Sequence, residues 1–152
     1  MIAENNQFIY AGSFDELYHK INNITPSTLL ISEKFIQFDS FNILELLSKI
    51  PVKWIIIIGN NSSNAEDDLD FLIETSLDDN LLDVVTTSFS YEEIDDIAFE
   101  FLVTSKLGFK DYQFLSVLDF DKVEEVMILR KINKNIMENF EIYTQNDRRI
   151  NF

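Results

Sequence analysis

The stretch Trp54-Ile55-Ile56-Ile57-Ile58 decides the fold of this 152-residue chain. Its five consecutive apolar residues show no polar alternation, which is typical of a strand that is covered on both faces. Gly59 follows directly and begins a polar turn. Strands of this kind belong to parallel sheets, in which helices connect one strand to the next. The flanking sequence should therefore alternate between strands and helices.

This alternation continues on both sides of the apolar run. The predicted strands are residues 7–11, 27–32, 52–59, 82–87 and 126–129. The predicted helices are a first one between Ser13 and Pro26, followed by 40–49, 63–76 and 91–105. Three helix starts have the spacing of a capping box, and the last of them adds a hydrophobic staple of Phe89 against Ile94. The three boxes are Ser13 with Glu16, Ser63 with Glu66, and Ser90 with Glu93. Residues 112–118 fit either class, and residues 133–152 form a C-terminal segment of mixed pattern.

The order of these elements predicts one α/β domain over residues 1–152. Only three Gly and two Pro occur in the chain, and no linker or repeat interrupts it. Strands that alternate with helices form right-handed βαβ units. We expect a three-layer sandwich with a mostly parallel sheet of four or five strands, in a Rossmann-like or flavodoxin-like topology. The strand at 53–58 should be central and buried.

The composition argues against several classes of function. With 27 Asp and Glu against 12 Lys and Arg, the net charge is -15, whereas nucleic-acid binding depends on basic residues. The absence of cysteine excludes a thiolate zinc site and a cysteine nucleophile, and there is a single histidine. No glycine-rich phosphate loop occurs. We therefore predict no enzymatic activity, no catalytic residue, no cofactor and no metal site.

The ends and the residue usage suggest a cellular setting. The N-terminus lacks the basic start and apolar run of a signal peptide. No apolar segment approaches the roughly 20 residues that cross a bilayer. The sequence therefore predicts a cytoplasmic protein without membrane association. Twenty Ile and fourteen Asn against four Ala suggest an AT-rich genome, and a bacterial source fits that bias.

The segment Val84-Val85-Thr86-Thr87-Ser88 resembles the fourth strand of bacterial response-regulator receiver domains. That family requires an aspartate after the third strand, where this chain has Gly59-Asn60. The resemblance therefore implies at most a degenerate receiver-like or small-ligand-binding domain. The longer segment 84–93 resembles a strand-helix module of small bacterial α/β proteins without assigned activity. This likeness extends over roughly residues 27–132 and supports the fold.

A further hypothesis is that the chain is a structural or adaptor protein with an exposed apolar patch. Such a patch would use aromatic and aliphatic residues near the C-terminus, which could equally pack beneath the last strand. These residues are Phe109, Tyr112, Phe114, Phe140, Ile142 and Tyr143.

The distribution of charge gives the strongest functional signal. Residues 54–105 contain thirteen acidic residues and no Lys or Arg. The helices at 63–76 and 91–105 follow successive strands, so we expect them to lie side by side and to form one acidic surface. Such a surface attracts a basic partner and accelerates its capture. The alternative is that the acidic residues only promote solubility.

A small, acidic, cysteine-free protein with no recognisable active site has the profile of an immunity protein or antitoxin. Many toxins are nucleases, whose basic surfaces grip phosphate, and an acidic inhibitor can occupy such a surface. We therefore predict a non-enzymatic binding protein whose partner is a basic protein, a toxin domain. Tyr91 is the candidate aromatic anchor, because a few buried residues carry most interface energy. The predicted partner-binding residues are Asp67, Asp70, Glu74, Tyr91, Glu92, Asp95 and Asp96.

Overall fold

A computed structural model describes residues 8–21, 25–37, 40–76, 78–102 and 113–150. The strands are β1 (Phe8–Ala11), β2 (Ser27–Ser32), β3 (Val52–Ile58), β4 (Val85–Phe89) and β5 (Gln113–Val117). The α-helices are α1 (Phe14–Lys20), α2 (Lys34–Gln37), α3 (Ser40–Lys49), α4 (Ser62–Thr75), α5 (Ile94–Leu102) and α6 (Val123–Ile150). Short 3₁₀ turns at Asp79–Leu81 and Tyr91–Glu93 precede β4 and α5, respectively.

The five strands form one sheet in the order β1-β5-β2-β3-β4, and every neighbouring pair is parallel. This arrangement confirms the predicted three-layer α/β fold. β3 is internal, as predicted, and Ile55 to Ile58 are fully buried. The middle position belongs to β2, whose six residues are all buried. The strand order differs from the 2-1-3-4-5 order of flavodoxin and the receiver domains, because β5 returns to lie between β1 and β2.

Helices cover both faces of the sheet, and the direction of the crossovers decides which helix covers which face. The right-handed connections from β2 to β3 to β4 place α2, α3 and α4 on one face, together with α1. The return from β4 to β5 reverses direction, so α5 and α6 cover the opposite face. The expectation that the helices at 63–76 and 91–105 lie side by side is therefore wrong. They lie on opposite faces of the sheet.

Several predicted elements differ from the structure in identifiable ways. The expected strand at 126–129 is part of α6, in which Ile128, Ile132 and Ile136 recur every four residues and are buried. A short apolar run fits a helix as well as a strand, and this spacing decides for the helix. The ambiguous residues 112–118 contain β5. Strand β4 begins three residues later than predicted, because a 3₁₀ turn ends at Leu81.

The first capping box forms as predicted, except that Glu16 reaches back to Gly12, one residue before the cap Ser13. Ser13 Oγ accepts from the Glu16 backbone N–H at 3.1 Å, and Glu16 Oε1 accepts from the Gly12 N–H at 3.0 Å. The box predicted at Ser63 is wrong, since α4 already begins at Ser62. Ser90 precedes a 3₁₀ turn without a side-chain capping bond.

The aromatic residues considered for an adaptor patch divide into two groups. Phe114 is buried in β5, where its ring stacks on Phe8 at 4.8 Å and meets Phe101 edge-on. The side chains of the other five, Phe109, Tyr112, Phe140, Ile142 and Tyr143, lie outside the described residues. Every helix in the described ranges is too short or too polar to cross a bilayer.

Candidate functional site

Strand β4 forms one border of the sheet, and its hydroxyl side chains hold carboxylates from both neighbouring helices. The Thr86 hydroxyl lies 3.0 Å from Glu66 Oε2 and 2.7 Å from Asp70 Oδ1. Ser88 donates to Glu66 Oε1 at 2.7 Å. These contacts lie on the α4 face. We call β4 and the carboxylates that its hydroxyls hold the acidic edge.

The opposite face of the same strand carries a matching contact. Thr87 points toward α5, where its hydroxyl donates to Glu100 Oε2 at 2.5 Å. Side chains alternate between the two faces of a strand, so three consecutive hydroxyl residues engage acidic side chains from both helix layers. Two helices that do not lie side by side therefore still contact the same strand, β4.

Of the predicted partner-binding residues, Asp70 belongs to the acidic edge, and Asp67, Glu74 and Asp96 lie one turn from Asp70 or Glu100 along the same helices. Asp67, Asp70 and Glu74 are spaced three and four residues apart, which places them along one side of α4, and Asp70 contacts Thr86 directly. Asp96 lies four residues before Glu100 on α5 and is exposed.

The other three predicted residues lie elsewhere. Asp95 faces α6, where its carboxylate is 3.2 Å from Lys131 Nζ. Glu92 is exposed in the 3₁₀ turn. Tyr91 points its hydroxyl inward to Glu125, at 2.6 Å. The structure therefore places one predicted residue in the acidic edge, three within one turn of it, and three elsewhere.

A second group of polar residues lies at the carboxyl ends of the strands. Glu125 of α6 is fully buried. Its Oε2 accepts from Ser32 Oγ at 2.7 Å and from Tyr91 OH, while Oε1 accepts from the Asp119 backbone N–H at 2.8 Å. One carboxylate therefore links α6 to the segments that end β2, β4 and β5. We call this group the Glu125 link.

A second buried carboxylate lies at the same end of the sheet, directly after β2. Glu33 is only 5% exposed, and both of its oxygens lie 3.1 Å from the Asn61 backbone nitrogen. Gly59 has a φ of +147°, and a Cβ built there would be 1.7 Å from Glu33 Oε1. Both the backbone conformation and the close approach of the carboxylate require glycine at this position.

The environment of the Glu125 link changes its protonation behaviour. Burial raises the pKa of Glu125, and the hydrogen bonds from Tyr91, Asp119 and Ser32 oppose that rise. Burial also raises the pKa of Tyr91, and its hydrogen bond to Glu125 adds to the effect. Lys122 lies over the Tyr91 ring at 5.9 Å. These contacts stabilise the link as a structural joint, because each Glu125 oxygen already has a donor.

The described residues provide no cluster of metal ligands at this end. Among them, no group of three or more His, Asp or Glu side chains is arranged to hold a metal ion. A cavity of about 370 Å³ lies at the other end of the sheet, between the turn that precedes β3 and the residues that precede β4. Ligands of doubly wound sheets bind beyond the carboxyl ends of the strands, so this cavity is at the wrong end for such a site. Lys49, on its rim, is already paired with Glu45 at 2.9 Å.

Sequence patterns reveal these sites only in part. The hydroxyl run Thr86-Thr87-Ser88 was a visible signal for the acidic edge, and the acid-rich helices on either side were another. Glu66, predicted only as part of a capping box, and Glu100 are not among the predicted partner-binding residues, because their contacts depend on which faces of β4 the helices cover. No motif marks Glu33, and none distinguishes Glu125 from its acidic neighbour Glu124. Only the strand order brings Glu33 and Glu125 to the same end of the sheet.

No protein-family model, curated protein or solved structure matches this chain. Its class follows from its own architecture. It is a doubly wound, all-parallel α/β protein with carboxylates on both sides of β4, a border strand that pairs only with β3 within the described part of the chain.

Proposed function

We propose that this protein is a non-enzymatic acidic binding protein, an immunity protein or antitoxin that neutralises a basic toxin domain by covering its active surface. The observation that carries the proposal is the acidic edge, where carboxylates from two helix layers border one strand. In this proposal the protein acts in the cytoplasm, without a cofactor, and contacts neither nucleic acid nor membrane.

The field of the acidic edge would favour a basic partner. Residues 54–105 supply thirteen acids and no Lys or Arg, and this region contains α4, β4 and α5. Such a concentration of one sign steers an oppositely charged partner and raises the association rate. The same field repels nucleic acid, which competes for the basic surface of a nuclease.

The hydroxyl contacts would add affinity to this attraction. Glu66 and Glu100 are already held by Ser88 and Thr87, so less side-chain freedom remains to be lost when a partner binds. Each carboxylate also has acceptor capacity for a Lys or Arg in addition to its hydroxyl contact. Charge-assisted hydrogen bonds of this kind are stronger than neutral ones.

The test uses the product of the adjacent reading frame as the candidate toxin. Asp70 of the acidic edge and its exposed neighbours Asp67 and Asp96, each within one turn of an acidic-edge carboxylate, are changed together to lysine. Binding is measured by calorimetry at low and high salt. We expect affinity to fall by at least about tenfold and its salt dependence to flatten, because close charge pairs across an interface are lost. Co-expression should also cease to protect cells from the toxic product.

A matched control distinguishes an effect of the acidic edge from an effect of the changed net charge. Asp15, Asp121 and Glu138 are exposed acids away from β4, and their joint change to lysine shifts the net charge by the same amount. We expect this variant to retain most of the affinity. An equal loss in both variants, or an unchanged affinity in the first, would exclude the acidic edge as the binding site.

Small-ligand binding is a second candidate, favoured by the location of Glu33 and Glu125 at the carboxyl ends of the strands. At this end of the sheet, the chain leaves β5 toward the face covered by α6, whereas it leaves the neighbouring strand β2 toward the opposite face. Doubly wound sheets bind ligands at such a point, where adjacent strands lead to opposite faces. A thermal-shift screen with nucleotides and divalent ions tests it, because a ligand of the folded state raises stability. A concentration-dependent shift that Glu125→Gln abolishes would favour this candidate over the first.

A further inference from the structure

The border strand β4 has backbone groups that face away from the sheet. In a parallel ladder, one residue directs both its N–H and its C=O to the neighbouring strand, and the next residue directs both away. Phe89 is paired with β3, because its carbonyl accepts from the Gly59 N–H at 3.2 Å. Thr86 and Ser88 therefore direct their backbone N–H and C=O groups outward. Among the described residues, no backbone or side-chain group is hydrogen-bonded to them on that side.

An open border strand is a template for another extended chain. A second copy of this protein fits poorly there, because joining two acidic edges would bring Glu66, Asp70 and Glu100 against the same residues of the copy. Like charges in such a position cost free energy. The chemistry of the border instead matches an extended segment with basic side chains.

We infer that the partner binds by strand addition, with an extended, lysine- or arginine-bearing segment that pairs with β4 as a sixth strand of the sheet. This inference rests on the proposed function, and it adds the mode of recognition. Main-chain hydrogen bonds to Thr86 and Ser88 supply the docking register, and the flanking carboxylates select the side chains.

The alternation along β4 specifies the pattern of the segment. Side chains directly opposite one another on adjacent strands lie close together on the same face. Residues of the segment beside Thr86 and Ser88 would thus reach Glu66 and Asp70 on the α4 face. The residue between them would point to Glu100 on the α5 face. Lysine or arginine is therefore favoured most at the alternate positions of the segment whose side chains lie on the α4 face, because that face has two carboxylates.

The probe is a short, end-capped peptide of alternating lysine and valine. Its twin carries the same side chains with every backbone nitrogen methylated, which removes the main-chain donors and keeps the charge. We expect the twin to bind at least about tenfold more weakly, because several hydrogen bonds are lost. In the complex with the unmethylated peptide, the amide protons of Thr86 and Ser88 should become protected from hydrogen exchange. Equal binding of the two peptides would overturn the inference.

A protein variant tests the same point from the other side. Ser88→Pro removes an outward N–H from a border strand, a position where proline is tolerated. Ser88→Ala is the control for the loss of the hydroxyl contact to Glu66. We expect Ser88→Pro to bind the peptide at least about tenfold more weakly than Ser88→Ala, with thermal unfolding confirming that both are folded. Equal affinity of the two variants would contradict strand addition.

The two proposals fail in different ways. If the lysine substitutions at the acidic edge abolish binding of the adjacent gene product while methylation and Ser88→Pro have no effect, the acidic edge binds without strand addition. If the lysine substitutions leave that binding unchanged, the proposed function itself fails.

Discussion

Removing the hydroxyl of Tyr91 should lower the free energy of unfolding by more than removing the hydroxyl of another hydrogen-bonded tyrosine. Tyr91 OH donates to the buried Glu125 carboxylate at 2.6 Å. A hydrogen bond to a charged group contributes about 1.5–3 kcal/mol, so Tyr91→Phe should lower the free energy of unfolding by about 2 kcal/mol. The matched control is Tyr10→Phe, because Tyr10 OH donates at 2.9 Å to the neutral amide of Asn133 on the protein surface. A neutral bond contributes about 0.5–1.5 kcal/mol.

The assay is urea unfolding followed by the fluorescence of Trp54, the only tryptophan. A shift of the midpoint at constant slope reports a change in stability. The effect of Tyr91→Phe should be largest above the folded-state pKa of Glu125, where the carboxylate is ionised. It should shrink as the pH falls and Glu125 becomes protonated. Equal losses in the two variants, or no pH dependence of the difference between them, would refute the view of Glu125 as a charged acceptor.

Two further predictions concern the buried carboxylates. Gly59→Ala should lower the free energy of unfolding, measured in urea, by about 3 kcal/mol, because alanine is unsuited to this backbone conformation and its Cβ displaces Glu33. Adding Glu33→Ala should recover only the part of this loss that comes from the clash. A loss below about 1 kcal/mol in Gly59→Ala would contradict the clash. Burial raises the folded-state pKa of Glu125 above its unfolded value, so the folded protein holds this proton more tightly than the unfolded chain. The free energy of unfolding of the wild type, relative to that of Glu125→Gln, should therefore rise as the pH falls from above the folded-state pKa of Glu125 to below its unfolded-state pKa. Chemical denaturation at a series of pH values measures this difference, and the opposite slope would disprove the raised pKa.

Local patterns were sufficient for most of the fold. The predicted bounds of β2 and α3 match the structure, because Pro26 and Pro51 limit the neighbouring elements and the apolar spacing between them is regular. The prediction of a strand at 126–129 is wrong because this short run of apolar residues shows no period by itself. The helical period becomes evident only when Ile128 is compared with the isoleucines one and two turns further along α6.

The candidate site was less predictable, because it depends on the order of the strands. Acidic residues on α4 and α5 were recognisable from composition, but the faces on which these helices lie are set by the return of the chain from β4 to β5. Tyr91 was expected at a protein interface, whereas its hydroxyl satisfies Glu125, which lies 34 residues away in sequence. No local pattern specifies a pairing of this kind.

The position of β5 has a consequence for how the protein is made. Phe8 of β1 pairs with Phe114 of β5, which in turn pairs with Thr28 of β2. During synthesis, β1 and β2 therefore emerge with a gap between them that only the much later residues 113–117 can fill. Contacts so distant in sequence slow folding, and unpaired strands expose the nascent chain to aggregation. The sheet cannot be assembled in the order of translation, and a polypeptide released before residue 113 would leave β1 without a neighbouring strand.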